Sequence, residues 1–168
     1  MLDEKLVELL NDQVNKEFYS AYLYLSMANY YNEEGLSGFG NWFTIQAQEE
    51  RDHAMLFLEY LQNNGAHVEL KTVEAPKKQF KEFKDPLNES LKHERYVTAS
   101  IHNIYAAASN VKDFRTMQFL DWFVKEQGEE EKTAEDLIKK LELFGQDGKG
   151  LYMLDSELAS RTYSAPTL

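Results

Sequence analysis

Glu50 and His53 stand three residues apart, so on a helix they offer a carboxylate and an imidazole from one face. That pairing lets one helix set a bridging carboxylate beside an imidazole ligand to a metal. Taken alone the pair is weak, because such residues usually belong to a solvated, salt-bridged helix face. Glu17, Glu94 and the Gln127-x-x-Glu130 pair are equally ordinary singly, and Glu129-Glu130-Glu131 reads as a solvated acidic run. Their positions along the helices that carry them make the difference.

On a first helix Leu6, Leu10, Val14, Glu17, Ala21, Tyr24 and Ala28 form one inward stripe; on a second, Phe39, Phe43, Gln46, Glu50, His53, Phe57 and Tyr60 do. A third carries Leu87, Leu91, Glu94, Thr98, Ile101, Tyr105 and Ala108. A fourth carries Met117, Leu120, Val124, Gln127, Glu130 or Glu131, Ala134, Leu137 and Leu141. Every stripe is interrupted near its middle by an acid. Glu17 and Glu94 lie roughly 17 to 19 residues before the turns that follow them, and Glu50, His53, Gln127 and Glu130 roughly 14 to 19 after, which agrees within about one helical turn at 1.5 Å per residue. The interruptions therefore meet at one level.

Four carboxylates in an apolar interior lose hydration, at several kcal/mol per ion, and repel one another. They must take up protons or bind cations. The four charges of Glu17, Glu50, Glu94 and Glu130 match two divalent metals, and oxygen ligands with one imidazole suit iron or manganese better than copper or a structural zinc. Tyr24 and Trp122 serve equally well as core aromatics or as supports and electron donors for such a site. Glu49 and Glu126 adjoin the core acids and suit an additional cation site or a polar approach. His67, His93 and His102 have no convergent partners and are expected as surface or internally satisfied histidines.

The elements needed are four long helices, roughly from Asp3 to Glu34, from a Ser37 cap to Asn64, from an Asp85-Pro86 start to Asn110, and from an Asp113 cap to Phe144. The links between the first two and the last two are short and make antiparallel hairpins. Residues 66 to 84 are too many for a hairpin and, extended, reach about 60 Å, enough for one long crossover along the bundle. Gly145 to Gly150 reads as a break, with a short fifth helix from about Leu151 to Ser160. The expected fold is all-α, a four-helix bundle over 1–145 with the fifth helix and tail, 146–168, part of the same domain.

Composition narrows the function classes. The 168 residues carry no cysteine, which excludes disulfides, thiolate zinc sites and cysteine nucleophiles. The net charge of −11 argues against a nucleic-acid partner, which needs a basic footprint. With no apolar run near 20 residues and a charged Met1-Leu2-Asp3-Glu4-Lys5 start, a cytoplasmic location off the membrane is expected.

Asn15-Lys16-Glu17 with Tyr24 after it, Glu49-Glu50-Arg51-Asp52-His53-Ala54, Glu94, and Trp122 leading into Glu126-Gln127-Gly128-Glu129-Glu130-Glu131 together resemble the ferritins, most closely the bacterial non-haem ferritins, over essentially the whole chain. The resemblance implies a ferroxidase centre: Glu17, Glu50 and His53 on one iron, and Glu94, Glu130 and a bridging Glu50 on the other, with Gln127 close by. It implies a third iron site at Glu49, Glu126, Glu129 and Glu130, and a hollow homo-oligomer of 24 subunits storing ferric oxyhydroxide, with the fifth helix at the four-fold axes. Fe(II) would be oxidised with oxygen or hydrogen peroxide. Haem is not expected, since Gln127-x-x-Glu130 stands where bacterioferritins have a second Glu-x-x-His, and Asp52 lies in the neighbourhood of their haem methionine. Rubrerythrins usually add a cysteine-rich iron domain, which this chain cannot build. Two rivals remain: a soluble di-iron oxidase or peroxide reductase without storage, and an inert bundle whose core acids are simply protonated.

Overall fold

The computed structural model describes residues 2–76 and 79–167, and their regular structure is five helices: α1 Glu4–Glu33, α2 Ser37–Asn63, α3 Lys84–Asn110, α4 Phe114–Phe144 and α5 Gly148–Leu158. Asp3 starts α1 by accepting from the Lys5 and Leu6 amides, and Asp113 starts α4 by accepting from Thr116. Gly35 and Gly65, at φ +81° and +68°, take the left-handed conformation that ends α1 and α2. α1 pairs with α2 and α3 with α4, and α1 and α3 join the hairpins. No helix among the described residues is long and apolar enough to cross a membrane.

Three helix starts differ from the sequence expectation. Ser37 makes no cap; the Asp155 carboxylate of α5 accepts from the Phe39 amide at 2.9 Å, so α2 is capped from elsewhere in the chain. Asp85 sits inside the first turn of α3 and accepts from the Lys81 and Glu82 amides upstream, which lets the helix begin at Lys84. α5 begins at Gly148 because Asp147 accepts from the Lys149 and Gly150 amides, and its glycines do not break it. α5 packs on α2 and α4 so closely that a Cβ on Gly38 would lie 1.7 Å from the Asp155 carbonyl oxygen.

The long connector travels along α1. Asn11 donates to His67 O and accepts from the Glu69 amide; Asn15 donates to Lys71 O and Thr72 O; further on, the Tyr30 and Phe80 rings meet at 5.5 Å and Tyr31 donates to Phe83 O. These contacts advance together from Asn11 to Tyr31, as a crossover must. Lys77 and Lys78 of this stretch lie outside the described residues.

The apolar core comes in two blocks. Tyr24, Met27, Tyr31, Phe39, Phe43, Leu137 and Leu141 belong to one, at the α5 end; Leu6, Leu10, Val14, Phe57, Val97, Ile101, Leu120 and Phe123 belong to the other. Each fully buried large side chain contributes roughly 1.5–3 kcal/mol. The inward stripes of α1 and α2 are as expected. On α4, however, Val124 is 37 % exposed and Phe123 is buried in its place, its ring 4.3 Å from that of Phe57. On α3, Leu91, Thr98 and Tyr105 are half-buried while Val97 and Ile104 face inward. A strict three-or-four step drifts around a 3.6-residue helix, so near the edge of the stripe the inner position passes to an adjacent residue.

Candidate metal centre

Between the two apolar blocks lies a polar layer to which each long helix contributes. Glu17 of α1, Glu50 and His53 of α2, Glu94 of α3, and Gln127 and Glu130 of α4 are all buried. Ligand atoms of Glu17, Glu50 and His53 lie within 4.8 Å of one another. Glu50 Oε2 is 3.6 Å from His53 Nδ1, and Gln127 Nε2 donates to Glu94 Oε2 at 3.0 Å. Of the two candidates on α4, Glu130 is the inward one; Glu131 turns aside to accept from Thr98 Oγ1 at 2.6 Å. Tyr24, fully buried, donates its hydroxyl to Glu94 Oε1 and accepts from Ser90 Oγ.

The electrostatics follow from burial. Desolvation, with the charge of Glu50 close by, pushes the carboxyls of Glu17 and Glu130 up to about 8. Glu94 is pushed well above the usual carboxylate range for the same reasons. Burial would raise Glu50 as well, but the hydrogen bond and charge of His53 outweigh it and hold Glu50 low. Burial would lower His53, yet Glu50, Glu17 and Glu130 together raise it to about 10. Burial thus favours the neutral forms of Glu17, Glu94 and Glu130, while Glu50 and His53 favour each other's charged forms. Glu17 Oε2 is buried without a hydrogen-bond partner, which leaves it open to a further ligand.

Glu49, Glu126 and Glu129 gather at the edge rather than in the layer. With His53, Trp122, Glu130 and Arg161 they line a cleft of about 380 Å³ closed on one side by tail residues Ser164, Pro166 and Thr167. Burial raises the carboxyls of Glu49 and Glu126, although Arg161 lowers the first in part. Trp122 packs edge-on against His53 at 5.5 Å. His67 and His102 are exposed, while His93 is buried and bonded to Ser20 Oγ at 2.7 Å, an internally satisfied histidine.

Sequence reasoning did not single out the amides that hold these acids. Gln13 Nε2 donates to Glu17 Oε1 at 2.7 Å, and Gln46 Nε2 donates to Glu50 Oε1 at 3.0 Å and Glu130 Oε2 at 2.9 Å. The signal was there as a repeated Gln-x-x-x-Glu spacing, one helical turn, on both α1 and α2.

Residues 7–144 match the family model described as Ferritin-like domain. The chain is 40 % identical over 163 residues to the bacterial non-heme ferritin of Staphylococcus aureus, covering 97 % of this chain and 98 % of that one. It is also 40 % identical to that of Staphylococcus epidermidis, covering 98 % and 99 %. This chain belongs to the ferritin family. Its structure agrees: a closed form of the Archaeoglobus fulgidus ferritin superposes with a TM-score of 0.95 at 44 % identity, covering 98 % of this chain and all of the other. The open pore ferritin of the same archaeon gives 0.93 at 45 %, covering 96 % and 98 %. As a ferritin the chain binds iron, oxidises Fe(II) and serves in iron storage. The matched span takes in the whole polar layer and ends where α4 ends, before α5.

Proposed function

We propose that Fe(II) is oxidised in pairs in this layer, with Glu17, Glu50 and His53 holding one ion, Glu94 and Glu130 holding the other with Gln127 beside it, and Glu50 shared between them. One observation carries the reading: four acids and an imidazole from four helices share one buried level, where desolvation raises three of the acids toward their neutral forms. Two divalent ions can replace the protons of Glu17, Glu94, Glu130 and His53 with no change in net charge. The oxygen-rich donor set stabilises the harder ferric ion over the ferrous one.

Each ferrous ion gives up one electron. Dioxygen takes the pair with two protons and leaves as hydrogen peroxide; if peroxide is the oxidant, it takes the pair with two protons and becomes water. Tyr24 holds Glu94 in place through its hydroxyl. Glu49, Glu126 and Glu129, with Glu130, form a third iron site on the side of the cleft. The ferric product is stored inside a closed shell of 24 copies, with α5 at the four-fold axes and α1–α4 forming the bundle of each subunit. The location is the cytoplasm and the cofactor is iron without haem.

The test is stoichiometric Fe(II) addition under oxygen, followed optically and paired with gel filtration. Glu50→Ala removes the shared ligand and should slow oxidation about a hundred-fold or more while the shell stays intact, the size of the loss when one preorganised group that stabilises developing charge is removed. A variant oxidising at the wild-type rate would overturn the ligand assignment.

A further inference from the structure

The tail beyond α5 returns to α2 and brings a cation to the edge of the centre. Arg161 donates through Nη1 to Gln46 Oε1 at 3.0 Å and Trp42 O at 3.2 Å, and through Nη2 to Glu49 Oε2 at 2.6 Å; its guanidinium lies 4.3 Å from the Trp42 ring centroid. Asn41 donates to the Ala159 and Arg161 carbonyls, and Tyr163 donates to Asp52, so the tail is pinned on both sides of the arginine side chain. Gln46 is the amide that donates to both Glu50 and Glu130. An amide can turn either end to its neighbours, and with its carbonyl toward two carboxylates it would repel them. By donating to Oε1, Arg161 fixes the productive orientation.

We propose that Arg161 is a positioning residue of the ferroxidase centre and a tethered competitor for the third cation: it orients Gln46 toward Glu50 and Glu130 and occupies Glu49 until an incoming ion displaces it. This rests on the reading of Glu49, Glu126, Glu129 and Glu130 as a cation site. The guanidinium is suited to both duties at once, because its planar fork reaches an amide oxygen and a carboxylate together. The tail thereby makes the third ion the weakest bound and the easiest to pass on.

Anaerobic Fe(II) calorimetry on the assembled protein reads each affinity without turnover. Arg161→Gln should bind the third ion about five-fold tighter, the size of one partly screened ion pair, and the first two more weakly. Arg161→Lys keeps the charge beside Glu49 and should return the third affinity to the wild-type value, yet it lacks the fork and should leave the first two weakened. In oxygen-driven oxidation, Arg161→Gln should raise KM for Fe(II) more than it lowers kcat. If Arg161→Gln leaves every affinity unchanged while Glu126→Gln abolishes third-ion binding, the role of Arg161 is refuted and the third site stands. If Glu126→Gln removes no ion from the wild type or from Arg161→Gln, the third site falls and this proposal with it. Should Arg161→Gln fail to assemble, Arg161→Lys decides alone: unchanged affinity for the first two ions refutes the proposal.

Discussion

Glu50 Oε2 and His53 Nδ1 lie 3.6 Å apart, one turn apart on α2, each side chain 3 % exposed. Burial and charge favour the protonated forms of His53, Glu17, Glu94 and Glu130, so under the proposed ligand assignment two ferrous ions would displace four protons. Anaerobic Fe(II) binding at pH 7 should therefore release close to four protons per subunit, measured by calorimetry in buffers of different ionisation enthalpy. Release near zero would mean that the acids are already ionised.

The same shifts set the stability of the metal-free protein. Glu17 and Glu130 have folded values near 8, raised above their unfolded ones, so their contribution is full below about pH 4.5 and is lost as pH rises through 8. His53, raised to about 10, acts in the same direction at higher pH. Glu50, held low, acts oppositely and is lost only in acid. With chelator present, Tm should fall between pH 6 and pH 9, and saturating Zn(II) should flatten the fall. A Tm that rises over this range with chelator contradicts the assignment.

Tyr24→Phe removes the donor to Glu94 and leaves Ser90 without its acceptor. The expected loss is about 1–2 kcal/mol of stability, together with less than about a ten-fold drop in the oxidation rate. Stopped-flow absorbance reads the rate, and a loss of a hundred-fold or more would give the phenol an electron-transfer duty instead of a supporting one.

Asp155→Ala should cost about 1 kcal/mol by uncapping α2, with local opening of α5 visible as faster hydrogen exchange at Phe39 and along residues 148–158. Unchanged exchange at Phe39 would show that another group takes over the cap.

The four acids at Glu17, Glu50, Glu94 and Glu130 were legible because burial pressure makes an acid on an apolar stripe anomalous, and helix length converts sequence offset into depth. The hairpins and the crossover followed from link lengths. Arg161 was not legible, since the tail has no periodicity to say which surface it will meet. Asp155 capping α2 was hidden for the same reason: the donor and acceptor lie 116 residues apart. Phe123 was lost to Val124 because two adjacent apolar residues at a stripe edge are separated only by the volume of the hole between the helices. Membership of the ferritin family rested on the joint pattern of residues, and the comparisons agree with it.

The halves of the polar layer come from different hairpins, Glu17, Glu50 and His53 from α1–α2 and Glu94, Gln127 and Glu130 from α3–α4, joined by the connector along α1. Each hairpin forms from contacts local in sequence, whereas the layer closes only when the two dock. Docking moves acids toward acids, so the last step of assembly must draw protons from solvent or ions from the cell. Uptake of protons or ions therefore belongs to the docking of the two hairpins and not to the formation of either one.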